Sequence, residues 1–342
     1  MSNLYSRRNF LKTTALGVGV AALGMNFSER ASASVAMQRM GKFKTQLHNG
    51  FIVDKITPER MEQLAAIGVE GVEVTKWDVD VNEAREARRI AESAGIKIHS
   101  VMRAWTNFNK PESAEADVQS VVRALQAAAA YGASSVLLVP CRIGNPGPKP
   151  WDFKVEFDPK TLMLSKVVDG DNEPYAEYIK LHNEATDASY RCLAPCIPVA
   201  AYEGVTIGLE NVWNNLWCTP ELFAAFVKSF DNVWVKAYFD LGNHVKYAKT
   251  EDWLYALGKG TILKLHMKDF LFDKEKGGGE FVPMGTGSID WYSVRKAIDD
   301  IEYDGFVTNE SGGYSDEQFV KIFDNFFNGR DILSGVLPEE EK

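Results

Sequence analysis

The chain has 342 residues, 45% of them hydrophobic, and a formal net charge of −9. That length and apolar content suit one large α/β domain or two small ones, and the acidic balance argues against nucleic acid or an anionic membrane surface as a partner. No apolar run approaches the roughly 20 residues that a spanning helix needs.

The first 33 residues read as a targeting segment and not as part of the fold. Ser6-Arg7-Arg8-Asn9-Phe10-Leu11-Lys12 is a twin-arginine pattern, Thr13–Met25 is weakly apolar, and Ala31-Ser32-Ala33 offers a small-residue cleavage site. Residues 1–33 are therefore expected to be removed on export to the periplasm. A linker (34–41), a single folded unit (42–335) and an acidic tail (336–342) follow, and no membrane contact is expected after cleavage. The twin-arginine exporter carries folded proteins, so the fold is expected to form before export. The cysteines are Cys141, Cys192, Cys196 and Cys218. Cys192 and Cys196 lie four apart in a helical pattern, where disulfide geometry is poor, so buried free thiols are expected.

From Lys42 onward strand-like and helix-like runs alternate without a clear linker, the pattern of a parallel α/β fold. A first strand over Phe43–His48 precedes a helix near Pro58–Ile67. A second strand, Val69–Val74, precedes an amphipathic helix, Val81–Ala94. The third strand, Lys97–Met102, leads to a long helix, Ser113–Tyr131, and the fourth strand is Ser135–Val139. Cys141–Pro174 then departs from the alternation, rich in Pro, Gly, Asp and aromatics, and reads either as a functional lid or contact surface or as a plain surface excursion. A helix follows over Tyr175–Tyr202. Further strands end at Glu210, Asp240, His266 and Glu310, with helices near Thr219–Phe230, Glu251–Gly258, Trp291–Ile301 and Asp316–Asn328. Eight strand–helix units are what a closed (β/α)₈ TIM barrel requires. No Gly-rich nucleotide turn follows the first strand, which disfavours a doubly wound open sheet.

Chemistry concentrates at four strand ends. The run VTIGLE ends on Glu210, VWVKAYFD on Asp240, ILKLH on His266 and GFVTNE on Glu310. The first three are spaced by about one β/α unit of roughly 30 residues, and a wider gap precedes Glu310. An acidic side chain closing a buried strand is costly unless a cation or an acid/base role compensates it. Four such strands in one barrel would bring three carboxylates and one imidazole to the same rim. Hard oxygens with one nitrogen suit a single Mn²⁺, Mg²⁺ or Co²⁺ ion, with Zn²⁺ also compatible. Such an ion polarises a carbonyl and stabilises an enediolate. Glu210 and Glu310 would then be placed to move a proton between the two faces of a substrate carbon.

The motifs GLENVWN, FDLGN, LHMKD and NE, in this order, resemble the xylose isomerase-like barrel superfamily of sugar isomerases and epimerases, and are similar to ketose 3-epimerases and L-xylulose-5-phosphate 3-epimerases. The resemblance covers the chain from about Lys42 and is strongest from Val205 to Glu310. It implies that Glu210 and Glu310 are both metal ligands and acid/base groups, and that Asp240 and His266 are ligands. It further implies a small-molecule sugar substrate, with a homo-oligomer compatible. One departure is Asn243, which stands three residues after Asp240 where ketose epimerases often place a His; His244 comes one later. No phosphate-binding residues are apparent, and a periplasmic address argues for an unphosphorylated sugar. Export also points to a second branch of the superfamily, enzymes that eliminate the C1 substituent of 3-keto-glycosides. A third reading is a carbohydrate-binding barrel without turnover.

Further candidates for substrate contact are Glu73, Trp213, Asn243, His244, Lys268, His48 and Arg103. Glu73 could hold a substrate hydroxyl or a salt bridge, and His48 and Arg103 are expected to end strands at the mouth. Trp213 could stack on a sugar face or pack in the core. Lys268 could steady an enediolate oxygen or pair with Asp269, which could itself support His266 or cap the next helix. His99 reads as a core residue. Gly285-Thr286-Gly287 reads as a mobile loop running into a helix capped by Ser288 or Asp290.

Overall fold

The computed structural model describes residues 43–328. The twin-arginine segment and the acidic tail lie outside the described residues. The strands are β1 (His48–Val53), β2 (Gly71–Val74), β3 (Lys97–Trp105), β4 (Ser135–Val139), β5 (Glu156–Phe157), β6 (Leu164–Lys166), β7 (Thr206–Glu210), β8 (Val235–Asp240), β9 (Ile262–Met267), β10 (Asp269–Leu271), β11 (Glu280–Val282) and β12 (Phe306–Asn309). Eight of them close into a parallel barrel in the order β1-β12-β9-β8-β7-β4-β3-β2. The pairs β5–β6 and β10–β11 are antiparallel hairpins carried on the loops.

The α-helices are α1 (Pro58–Ala66), α2 (Val81–Ser93), α3 (Pro111–Tyr131), α4 (Ala176–Leu193), α5 (Cys196–Glu203), α6 (Pro220–Lys228), α7 (Thr250–Leu257), α8 (Trp291–Asp300) and α9 (Asp316–Phe323). Local sequence sets their starts. Thr57, Asp80, Thr219 and Asp290 each accept a first-turn backbone N–H, and Ser315 forms a capping box with Gln318. The barrel is buried on both faces, as an all-parallel sheet must be, and every residue of β4 is buried.

Three boundaries differ from the sequence reading. The first strand lies at His48–Val53 and not Phe43–His48. The backbone N–H groups of Lys44 and Thr45 are taken by the Asp299 carboxylate at 2.7 and 2.8 Å, so this segment is tied to α8 before the sheet begins. The helix expected over Tyr175–Tyr202 breaks at Ala194-Pro195, where proline has no N–H to continue the ladder. The last α-helix ends at Phe323 and continues as a π-helical turn, Asp324–Asn328. All four cysteines are free and buried, as expected.

The Cys141–Pro174 excursion is packed against the body. Phe153, Leu162, Leu164 and Val167 are buried, and the Asn183 amide of α4 bonds both backbone groups of Leu164. Asn214 and Asn215, just beyond β7, donate to the carbonyls of Cys141 and Ile143 at 3.2 and 3.0 Å.

Gly50 in β1 makes room inside the barrel. A Cβ there would meet His99 Nε2 at 2.7 Å and Thr308 Oγ1 at 3.0 Å. Gly50→Ala should therefore overpack the interior and lower stability by about 1–3 kcal/mol in denaturant unfolding; an unchanged midpoint would show that His99 and Thr308 yield freely.

Candidate metal centre

Glu210 and Asp240 are the last residues of β7 and β8, His266 is the penultimate residue of β9, and Glu310 directly follows β12. These strands are neighbours in the ring, so their C-terminal ends share one mouth. One ligand atom from each residue lies within 4.8 Å of the others. His266 Nδ1 stands 3.8 Å from Glu210 Oε1 and 2.9 Å from Glu310 Oε2. The Lys268 ammonium is 2.9 Å from Glu310 Oε2 and 3.2 Å from Asp240 Oδ2.

The sequence between these residues interlocks the strand ends. Asn211 donates to the Asp240 carbonyl at 2.9 Å and accepts the Asp240 N–H at 2.6 Å. The Asn243 amide donates to the Asn211 carbonyl at 2.9 Å and reaches Glu210 Oε1 at 3.4 Å. Asp240 Oδ1 accepts the N–H groups of Gly242 and Asn243 at 2.8 and 2.7 Å, which turns Oδ2 toward the cluster. Gly242 must be glycine, because a Cβ would lie 2.6 Å from the Lys268 carbonyl oxygen.

Two buried polar atoms of the cluster have no hydrogen-bond partner: Asp240 Oδ2 and His266 Nδ1. Their nearest charged neighbours are Lys268 Nζ, 3.2 Å from Asp240 Oδ2, and Glu310 Oε2, 2.9 Å from His266 Nδ1. Buried polar atoms without partners are rare and call for an explanation such as an ion. Three carboxylates outnumber the Lys268 ammonium and the His266 imidazole, a balance that favours a cation. The donor set therefore fits such an ion, with hard oxygens dominant.

Burial pushes the Asp240 carboxyl up to about 7, against the pull of Lys268. Burial likewise raises Glu210, opposed by His266. For Glu310 burial is outweighed by His266 and Lys268, which hold its carboxyl well below the usual carboxylate range. Burial lowers the His266 imidazole, but Glu73, Glu210 and Glu310 together raise it well above its ordinary value. One carboxylate stays ionised beside another that takes a proton more readily.

Several expected contact residues lie elsewhere. His48 opens β1 at the opposite end of the barrel and pairs with Glu70, because the strand starts where it was expected to stop. Arg103 sits beside a register irregularity in β3, where Ala104 has φ 56°, and its guanidinium is held by Asp117 at 3.2 Å and the Trp77 ring at 4.4 Å. His244 is buried against Trp253 with Nε2 on the Val212 carbonyl, and burial drives its pKa down to about 3. Glu73 is bonded to His266 Nε2 at 2.6 Å and the Ser100 hydroxyl at 2.8 Å, and its complete burial closes it to a substrate hydroxyl.

Trp213 lies at the mouth, donating its indole N–H to the Asn243 carbonyl. Its ring already carries Phe281 at 5.0 Å and the Lys246 ammonium at 3.6 Å. Phe281, which the sequence reading missed inside a glycine-rich loop, is the exposed aromatic here, at 45%. It rides on β11, 5.0 Å from Lys268 Nζ. Asp269 anchors that hairpin: its carboxylate accepts the N–H groups of Phe270, Gly285 and Gly287 at 2.8, 2.9 and 2.9 Å and the Trp291 indole at 3.3 Å. Asp290 is the residue that caps α8.

A family model for xylose isomerase-like TIM barrels matches residues 61–324. An uncharacterized protein of Methanocaldococcus jannaschii is 25% identical over 173 residues, which is 50% of this chain and 57% of that protein, so the match spans just over half the relative's length. Among solved structures, a D-tagatose 3-epimerase-like protein superposes with a TM-score of 0.62 at 18% identity, covering 82% of this chain and 97% of its own. The IOLI protein, solved with a zinc atom, gives 0.60 at 15% identity, covering 86% and 100%. At such identities the likeness is one of fold.

A cation that binds only the folded chain must raise its stability, by about 2.7 kcal/mol at a hundred times Kd. Titrating Mn²⁺ or Co²⁺ into chelator-treated protein should thus raise the unfolding midpoint, and Asp240→Asn should abolish most of the rise. A midpoint indifferent to both ions would remove the metal site.

Proposed function

Because the chain belongs to the xylose isomerase-like TIM barrel family, we propose that it is a divalent-metal-dependent sugar isomerase or epimerase acting on a small, unphosphorylated keto-sugar. The observation that carries this reading is the pair Glu210 and Glu310 in one buried cluster with Asp240 and His266. When bound by these four residues, a divalent ion supplies Lewis acidity toward adjacent carbonyl and hydroxyl oxygens of the sugar.

In this reading the chain's own groups move the proton. Glu310, kept ionised by His266 and Lys268, takes it from the carbon next to the carbonyl, leaving an enediolate. Glu210, whose carboxyl burial raises, gives a proton back. Return to the other face of the same carbon inverts it, and return to the neighbouring carbon, with the hydroxyl proton passing to the former carbonyl oxygen, moves the carbonyl. Lys268, between Asp240 and Glu310, holds both carboxylates in place and offers an N–H to developing oxyanion charge. Asn243 orients Glu210 and does not meet the sugar.

Phe281 favours a second reading within the same chemistry. Exposed beside Lys268, it offers apolar surface to the leaving group of a 3-keto-glycoside, whose enediolate would expel the C1 substituent. The periplasmic address, and with it the absence of a phosphate on the sugar, belongs to the proposal and is supported by residues 1–33 of the sequence.

Incubating metal-loaded protein with keto-sugars and 3-keto-glycosides in D₂O should place deuterium on one carbon. Released aglycone would mark the elimination. Glu310→Gln should cut exchange by about 10²–10⁴-fold with the fold intact by circular dichroism, and undiminished exchange would sink the reading.

A further inference from the structure

Below the cluster, the barrel interior holds a layer of polar side chains that the proposed reaction does not touch. Glu73 from β2 and His266 from β9 meet there, although β1 and β12 stand between their strands. Both side chains are essentially without solvent exposure. Glu73 Oε2 lies 2.6 Å from His266 Nε2, while Oε1 accepts the Ser100 hydroxyl at 2.8 Å. The Tyr238 ring stands edge-on to the imidazole at 4.8 Å. The imidazole thus has one nitrogen engaged from below and the other, Nδ1, buried in the cluster with no hydrogen-bond partner.

We infer that Glu73 is the positioning residue of the metal centre. By accepting the Nε2–H it fixes the tautomer in which Nδ1 carries a lone pair, holds the ring plane toward the three carboxylates, and raises the basicity of the only nitrogen ligand. Ser100 serves Glu73 as Glu73 serves His266, keeping the carboxylate from rotating. The geometry explains why a carboxylate is buried here at all. A charge in a dry interior is costly unless paired, and the closest partners of this one are an imidazole and a hydroxyl, an arrangement that makes sense if the imidazole in turn faces a cation.

This inference rests on the proposed metal site, and the test separates the two. Co²⁺ affinity is measured by competition with a chelating indicator, on the full chain, for wild type, Glu73→Gln and Ser100→Ala, together with the visible absorption of the Co²⁺ form. Glu73→Gln should weaken Co²⁺ binding about 10–100-fold and alter the absorption bands. Ser100→Ala, which spares the charged pair and serves if Glu73→Gln fails to fold, should weaken it several-fold. A purely structural pair would lower the unfolding midpoint of loaded and chelated protein alike and leave the affinity and the bands where they were. Equal affinity in wild type and both variants would overturn the inference while sparing the metal site. No Co²⁺ binding by wild type would overturn both.

Discussion

Three carboxylates are gathered at the mouth of a closed barrel, and the rest of the molecule is arranged around the cost of holding them there. Repulsion and desolvation both oppose it, which is why burial lifts Asp240 to about 7. Lys268 and His266 offset part of that cost, and a divalent ion would offset the remainder. The same compensation leaves Glu310 ionised and Glu210 readier to hold a proton, so the forces that assemble the site also differentiate two of its carboxyl groups.

Holding opposed charges within a few ångströms demands stiff supports. The loops after β7 and β8 clasp one another through Asn211 and Asn243, and Asp240 is fixed by two backbone N–H groups. From the other side the excursion between β4 and α4 is stitched to Asn214 and Asn215. The two N–H groups on Asp240 are local, but the Asn211, Asn243, Asn214 and Asn215 contacts join residues about 30 or more apart, so the site is a property of the closed ring and not of any one strand.

The barrel was legible because alternation of apolar residues and a regular strand–helix spacing are local signals. So were the four strand ends, since a carboxylate or imidazole closing an apolar run stands out. What failed was whatever depends on partners far along the chain. Glu73 looked like any strand-end acid, and its partner His266 is 193 residues away. His48 was misplaced because Phe43–Leu47 has a strand-like pattern, whereas Gly50, which weakens a strand on paper, is required inside the ring. Arg103 was turned aside by an irregularity in β3 that no residue type announces. Phe281 was hidden by the glycines around it. They set the turn of a hairpin whose purpose shows only when it folds back over Trp213.

Asp269 ties the root of that hairpin with four donors, three of them backbone and one the Trp291 indole. The hairpin's turn, residues 272–279, lies beyond this knot, and Phe281 stands on β11 opposite Phe270. Changes in that turn would reshape the rim of the barrel mouth while leaving the knot, and the side chains beneath it, in place. Substitutions across Glu280–Val282 would thus alter what the entrance admits without moving Glu210, Asp240, His266 or Glu310.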